Sequence, residues 1–536
     1  MKKTTILISA LLLSLFSIAQ TPFEVKIEPI TVPGLAGLQG YAFAQDSGKW
    51  LIIGGRIDGL HKRQPSAAFD AAGLNNNLTV IDPVSKQKWT ASISSLPTAI
   101  KEQISSTNMG FHQEGKYLYF IGGYGYSATE SDHITYNKMT AIDVPATINA
   151  VVNATSFTSY FRQITDNKFA VTGGHLEKIY NTYYLIGGNK FTGRYNPMGN
   201  SSYVQVYTDA AHKFTITDNG TSINITHLGS LVDTDELHRR DYNVTAQIMP
   251  NGQEGLTAFS GVFQKTVNLP FLNCVNLDSS GYVVNNAFSQ HYNHYHCANI
   301  PMYSTSNSEM HTVFFGGIAQ YYDSSGTMVQ DDNVPFVKTI ARVTRNSAGV
   351  MTEYKLPVEM PAFLGAGSEF IPVDNNIKKF HNGVVKLDLL PQDTTLVGYI
   401  YGGINSSAKN IFFAPGSSGT LSTASSKIFE VYIINTNRTG LDEMNVHSNG
   451  KLRMRMYPNP NRGILKIDLD IAYRSNLKVT ITDISGKIIK KEEYRKSNFT
   501  IGKNHLEIEL DNLSKTVLFV TLETKNDKIT QKLILR

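Results

Sequence analysis

The sequence is short of the residues that most often betray a function. Of 536 residues only two are cysteine, Cys274 and Cys297, and two are tryptophan. Two thiols cannot build a disulfide scaffold, and their spacing fits either one bridge, Cys274 to Cys297, or two buried thiols. Charged side chains make up 17% of the chain and the formal net charge is +5, too small and too scattered to argue for nucleic acid as a partner. Beyond the N-terminus no apolar run approaches the roughly 20 residues that span a bilayer, so no transmembrane segment is expected. A Gly-x-Ser-x-Gly elbow, a His-Glu-x-x-His helix and a phosphate-binding glycine loop are all missing. The acidic groups Asp233, Asp235, Glu236 and Asp331, Asp332 lack the spaced oxygen ligands and central glycine of a calcium loop. Nothing calls for a cofactor.

What the chain has instead is glycine and aromatics: 42 Gly, 26 Phe and 27 Tyr. That composition suits all-β architecture with many turns. The two ends read differently from the middle. Lys2 and Lys3, an apolar run from Ile6 to Ile18 and small residues at Ser17 and Ala19 follow the order of a secretory signal peptide, with cleavage expected after Ala19 or Gln20. Residues 1–20 are therefore assigned to export, 21–437 to the main domain, 438–455 to a polar linker and 456–536 to a small β-sandwich. The last segment alternates apolar and polar residues in Ile464 to Leu469, Leu477 to Asp483, Lys487 to Ile489, Leu506 to Leu510, Val517 to Thr521 and Thr530 to Leu535, the pattern of half-buried strands.

This tail carries Tyr457-Pro458-Asn459-Pro460 with Gly463, the hairpin Ile481-Thr482-Asp483-Ile484-Ser485-Gly486-Lys487, Asp511-Asn512-Leu513-Ser514 and the closing Lys532-Leu533-Ile534-Leu535. In these motifs it resembles the C-terminal sorting domain of the type IX secretion system of Bacteroidetes. The resemblance implies the type IX machinery as a partner, periplasmic transit, passage across the outer membrane, and release or attachment at the cell surface.

Between the ends an apolar strand closing on Gly-Gly recurs. It stands at Trp50 to Gly55, Tyr117 to Gly123, Tyr183 to Gly188, Val313 to Gly317 and Tyr399 to Gly403, with a degenerate copy at Ala258-Phe259-Ser260-Gly261. After the first copy come Leu78-Thr79-Val80-Ile81-Asp82 and then Trp89. Glycine pair, hydrophobic-Asp strand and Trp in that order resemble the kelch motif, which implies a β-propeller. Six copies predict six four-stranded blades, with Glu24 to Pro29 pairing beside Ile428 to Ile434 in the last.

In such a fold the ligand site is expected on the axial face, among residues that enter each blade. Asn108, Arg162, Arg239, Arg240, Tyr242, His294, His296 and Glu369 form that candidate set, polar, aromatic and arginine-containing, suited to a glycan or an anion. On a strand His294 and His296 would share a face and are the only metal-ligand candidates; two imidazoles do not make a site, so none is assigned. The reading is an exported surface or secreted propeller that binds a carbohydrate or a protein. Its rival is an extracellular propeller enzyme, sugar-modifying or, on the likeness to kelch copper radical oxidases, oxidising.

Overall fold

The computed structural model describes residues 22–62, 67–197, 202–373, 377–390, 394–412, 421–434, 452–457, 461, 463–471, 473–510, 516–525 and 527–535. The signal segment with Ala19 and Gln20, most of the linker, Pro458 to Pro460 and Asp511 to Ser514 lie outside the described residues. The described residues are overwhelmingly β, and the chain divides into two compact units, Val25–Ile434 and a C-terminal one from Asn435.

The larger unit contains six antiparallel arrays. Sheet I is Ala42–Asp46, Lys49–Ile53, Asn77–Asp82 and Gln87–Ser92. Sheet II is Gly110–Glu114, Tyr117–Ile121, Lys138–Asp143 and Phe161–Thr165. Sheet III is His175–Ile179, Thr182–Ile186, Ala210–Asp218 and Ile223–His227. Sheet IV is Asn243–Ile248, Glu254–Phe259, Cys274–Leu277 and Tyr282–Asn285. Sheet V is Asn299–Ser304, Glu309–Ile318, Phe336–Arg345 and Met351–Glu359, with Val385–Lys386 added beside its first strand. Sheet VI takes Ser368–Pro372, Thr394–Gly402 and Ile428–Ile434, and its fourth strand is the N-terminal Glu24–Ile30.

The second strand of each sheet is apolar on both faces because both are covered: Trp50 to Ile53 and Leu118 to Ile121 are all buried. Apolar clusters fill the space between successive sheets. Leu51 and Leu78 of sheet I meet Leu118 and Phe120 of sheet II, and Phe259 of sheet IV meets Phe314 and Val343 of sheet V. Trp50 and Ile52 of sheet I also pack with Tyr399, Tyr401 and Ile428 of sheet VI. Trp89, in the fourth strand of sheet I, lies partly buried against the I/II cluster, so a large ring fills the wedge where two twisted sheets diverge.

The glycine pairs sit where the chain leaves the second strand. Gly122 and Gly123 have φ of +66° and +87°, and a Cβ on Gly122 would stand 2.0 Å from the Val171 carbonyl oxygen. Only glycine fits so close an approach in the left-handed region. Just before each first strand the backbones of successive repeats are joined. The amide of Gly40 donates to Gly367 O at 2.9 Å, Asn108 to Gly40 at 3.0 Å, Gly173 to Asn108 at 2.8 Å, Asp241 to Gly173 at 2.9 Å and Gly367 to His296 at 2.6 Å. These five bonds link the six repeats in the order V, VI, I, II, III, IV.

In the C-terminal unit Leu452–Tyr457, Ile464–Ile471 and Gly502–Glu509 form one sheet. Ile488–Tyr494, Leu477–Asp483, Val517–Glu523 and Lys528–Ile534 form the other. Alternate residues such as Leu465, Ile467, Leu469, Val479, Ile481, Leu518 and Val520 point into one shared core, as the period-two pattern requires. Most of these strands run longer than their alternation in sequence suggests, and Leu452–Tyr457 is a further strand that begins in the segment 438–455 assigned to the linker and ends in the sandwich.

Candidate functional site

The connections between second and third strands are far longer than a hairpin needs, and they carry their own structure. Tyr124–Ser127, Asp132–Thr135, Asn189–Gly193 and Tyr203–Tyr207 combine into an additional four-stranded sheet from repeats II and III. Repeats V and VI add the hairpins Tyr321–Ser324 with Thr327–Gln330 and Ile404–Ser406 with Ser422–Ala424. The additional sheet, the repeat VI hairpin, Asp332 to Val334 after the repeat V hairpin and the bonded backbone stretches before the first strands line an open cavity of about 610 Å³.

Its wall is aromatic on one side. His61, Phe69, Tyr124, Phe191, Tyr195 and Tyr203 line it, with His61 stacked on Phe69 at 5.4 Å and Tyr195 edge-on to Phe191 at 5.3 Å. Tyr124 accepts from the Tyr195 amide at 2.8 Å and donates to Gly193 O at 2.9 Å, which fixes the fold of this wall. Polar groups share the lining: Asn108, Asn189, Gln205, Asn268, Arg240 and Asp241, with Gln205 paired across the strands from Phe191. Arg240 pairs with Asp241, lies over the Phe263 ring and donates to Tyr207 Oη at 3.2 Å. Among the described residues three buried polar atoms of the lining have no protein partner: Arg56 Nη1, His61 Nδ1 and Tyr295 Oη. Burial lowers the His61 imidazole to about 4 and raises the Tyr295 phenol well above its ordinary value, so His61 and Tyr295 are neutral at neutral pH.

A second cavity of about 470 Å³ is lined by the first strands themselves: Gln45, His112, Gln113, His175, Glu177, Asn243, Asn299 and Glu369. His296 lines both cavities and is the one residue they share among the described residues. Its Nε2 donates to Glu369 Oε1 at 2.8 Å. Burial pushes His296 down, but the charge and hydrogen bond of Glu369 more than reverse this and hold it above its usual range. The His175 ring stands 5.4 Å from that of His296, and its Nε2 donates to Tyr242 O at 2.6 Å. A carbonyl can only accept, so the His175 proton is on Nε2 and its lone pair on Nδ1. Burial and the neighbouring His296 lower His175 to about 3. Burial, helped by the charge of Glu369, raises Glu177 to about 8. Apart from the His296–Glu369 pair, these groups are held neutral.

The residues singled out from sequence divide in three. Asn108 and Arg240 line the first cavity, Glu369 the second and His296 both. Arg239 and Tyr242 do not reach either: Arg239, fully buried, spans Glu236, Ser260 O and Asn273, and Tyr242 donates to Ile186 O at 2.7 Å. Arg162 lies on the outermost strand of sheet II, paired with Asp218 of sheet III and stacked over Tyr117. The expectation that His294 and His296 share a strand face fails. The strand begins only at Asn299, His294 has φ of +54°, and its Nδ1 donates to Gly316 O at 2.7 Å while its ring stacks on Phe314. The two imidazoles serve different partners. Cys274 and Cys297 are free, buried thiols, not a bridge; burial raises each to about 12. Among the described residues no three His, Cys, Asp or Glu side chains are grouped to hold a metal ion. The aromatic wall escapes sequence reasoning, because the connections that carry it have no periodicity; their surplus length and clustered Tyr and Phe are the available signal.

The structure is similar to that of YjhT, with 12% identity and a TM-score of 0.40 over 74% of this chain and all of that one. It is also similar to a chain in the cryo-EM structure of RAG in complex with one melted and one unmelted RSS, with 11% identity and a TM-score of 0.33 over 76% of this chain and 99% of that one. No curated protein matches the sequence, and no helix among the described residues is long and apolar enough to cross a membrane. Residues 455–536 match the family of secretion system C-terminal sorting domains. This segment, with its alternating strands and two-sheet core, is a type IX secretion sorting domain, and it marks the chain for export.

Proposed function

We propose that Val25–Ile434 is a six-bladed, kelch-like β-propeller, carried to the surface or medium of a Bacteroidetes-type cell by the sorting domain, and that it binds a carbohydrate in its axial cavity. The propeller reading draws support from the six four-stranded arrays, the apolar clusters that include one between sheets I and VI, and the five backbone bonds that join the repeats head to head. One observation carries the ligand class: the second-to-third connections and the blade entrances surround a concave space in which aromatic rings are interspersed with side-chain amides and a guanidinium. Aromatic faces take the C–H side of a pyranose ring, and amides and arginine exchange hydrogen bonds with its hydroxyls. A protein ligand would fit a broad, flat patch better than a concave site of about 610 Å³. Binding of the mature chain to an immobilised glycan panel, followed by calorimetry on each hit, tests the reading. Tyr195→Ala is expected to weaken a genuine hit about tenfold or more, the order of one lost stacking contact. Uniform failure across the panel, or hits indifferent to Tyr195, would remove the carbohydrate assignment.

A further inference from the structure

Arg240, Tyr295 and His296 come from the adjacent entrances to sheets IV and V and line the same cavity. Tyr295 and His296 are consecutive, and Arg240 acts electrostatically on Tyr295 as well as on His61. Each of the three is held in a distinct state. The Tyr295 hydroxyl is buried with no partner. His296 has its Nε2 proton committed to Glu369, which leaves Nδ1 as the nitrogen through which the ring exchanges protons. Arg240 is fixed by Asp241, Tyr207 and the Phe263 ring; the same lining carries Lys62, Arg56 in its pair with Asp58, and Asp332.

A base, a neutral hydroxyl donor and a fixed cation are the groups that elimination from a uronic acid needs. The proton on C5 of a uronate is removable only when the carboxylate beside it is neutralised electrostatically, and the departing O4 needs a proton. We propose that this cavity is a β-elimination site for uronic-acid-containing glycans. His296 Nδ1 takes the C5 proton, Arg240 compensates the carboxylate, and Tyr295 Oη gives its proton to O4. The C5–H electron pair becomes the C4=C5 double bond while the C4–O4 pair leaves on oxygen. The products are a leaving sugar with a new reducing end, its anomeric hydroxyl carrying the former O4, and a 4,5-unsaturated uronate. Transfer of the proton from His296 to Tyr295 by way of water resets the site, so no oxidant or reductant is consumed. Glu369 is a positioning residue here: it fixes the tautomer and raises the basicity of the ring. The inner cavity, which meets the outer one at His296, provides a polar route by which that ring equilibrates with water.

The inference rests on the carbohydrate-binding reading, and the test separates the two. Mature protein is mixed with polygalacturonate, alginate or hyaluronan, following the ultraviolet absorbance of the conjugated unsaturated uronate, while calorimetry measures binding to the same polymers. Product from at least one polymer is expected. Tyr295→Phe should cut its rate about 100-fold or more with little change in binding, and the fold should hold because the removed hydroxyl bonds nothing. The rate should rise with pH as His296 loses its proton, and Glu369→Gln should move that rise to lower pH. Binding without product, or full activity in Tyr295→Phe, overturns the elimination and leaves the binding reading standing. Neither binding nor product with any polymer overturns the elimination, and blank glycan panels as well would take the binding reading with it.

Discussion

Replacing Glu177 by glutamine should change how the stability of the larger unit depends on pH. Glu177 lies on the first strand of sheet III, facing the inner cavity, and its carboxyl is raised from 4.5 to about 8 by burial first and Glu369 second. A carboxyl raised on folding stabilises fully below its unfolded value, and that contribution drains away as pH climbs to the folded value. Between about 4.5 and 8 the folded chain keeps a proton that the unfolded chain has released. The slope is about 1.4 kcal/mol per pH unit, so an unscreened group would lose about 5 kcal/mol over this window. The side chain is 27% exposed to the cavity, and solvent there should reduce the loss to about 2 kcal/mol. His175 and His112, held near 3 and 4 by burial, work in the opposite direction, losing stability as pH falls below about 6.5. The native chain alone therefore mixes these effects, and the difference between native and Glu177→Gln isolates one. Both tryptophans, Trp50 and Trp89, lie in sheet I, so their fluorescence during urea unfolding reports this unit without the sorting domain. The stability of Glu177→Gln relative to the native chain should grow by about 2 kcal/mol from pH 5 to pH 8. A difference that stays flat across that range would refute the buried, neutral carboxyl.

Three further outcomes follow from the packing. Gly122→Ala should cost more than about 3 kcal/mol in the same urea experiment, since its Cβ meets the Val171 carbonyl, whereas Gly115→Ala, also at positive φ but in open space, should cost only about 1 to 2 kcal/mol. Arg239→Met should lose about 3 kcal/mol or more, because Glu236, Asn273 and Ser260 O lose their buried donor; a loss below about 1 kcal/mol would show the network to be dispensable. Cys274 and Cys297 should both be silent to a thiol reagent in the native protein and both react after denaturation without reductant, whereas a disulfide would leave them silent throughout.

Much of the framework was legible in the amino-acid sequence because its signals are steric. A glycine in the left-handed region beside a neighbouring carbonyl leaves a mark at Gly54, Gly122, Gly187, Gly316 and Gly402, while in the repeat where the pair has decayed to Ser260-Gly261 the close neighbours are the Tyr242 and Arg239 side chains. The pairing of the N-terminal strand with Ile428–Ile434 followed from the need to cover a sheet edge. The site was less legible, for a reason seen at Arg239 and Arg240. Adjacent in sequence and identical in chemistry, they part company in three dimensions, one threaded into sheet IV and the other set in the cavity wall. No pattern in the chain says which way an irregular segment turns. The same is true of His294 and His296, whose alternate spacing promises a shared face only on a strand, and here the backbone at His294 is left-handed.

Sheet VI takes its fourth strand from Glu24–Ile30 and its third from Ile428–Ile434, so two segments from opposite ends of the larger unit must meet before either is complete. Tyr41 Oη donating to Tyr401 O at 2.9 Å is made at the same seam. Contacts of such sequence separation are slow to form, because the intervening chain must be gathered first. The strand at the N-terminal end of the larger unit is thus the last to find its neighbour, and the seam acts as a latch: sheet VI cannot close until Ile428–Ile434 is in place.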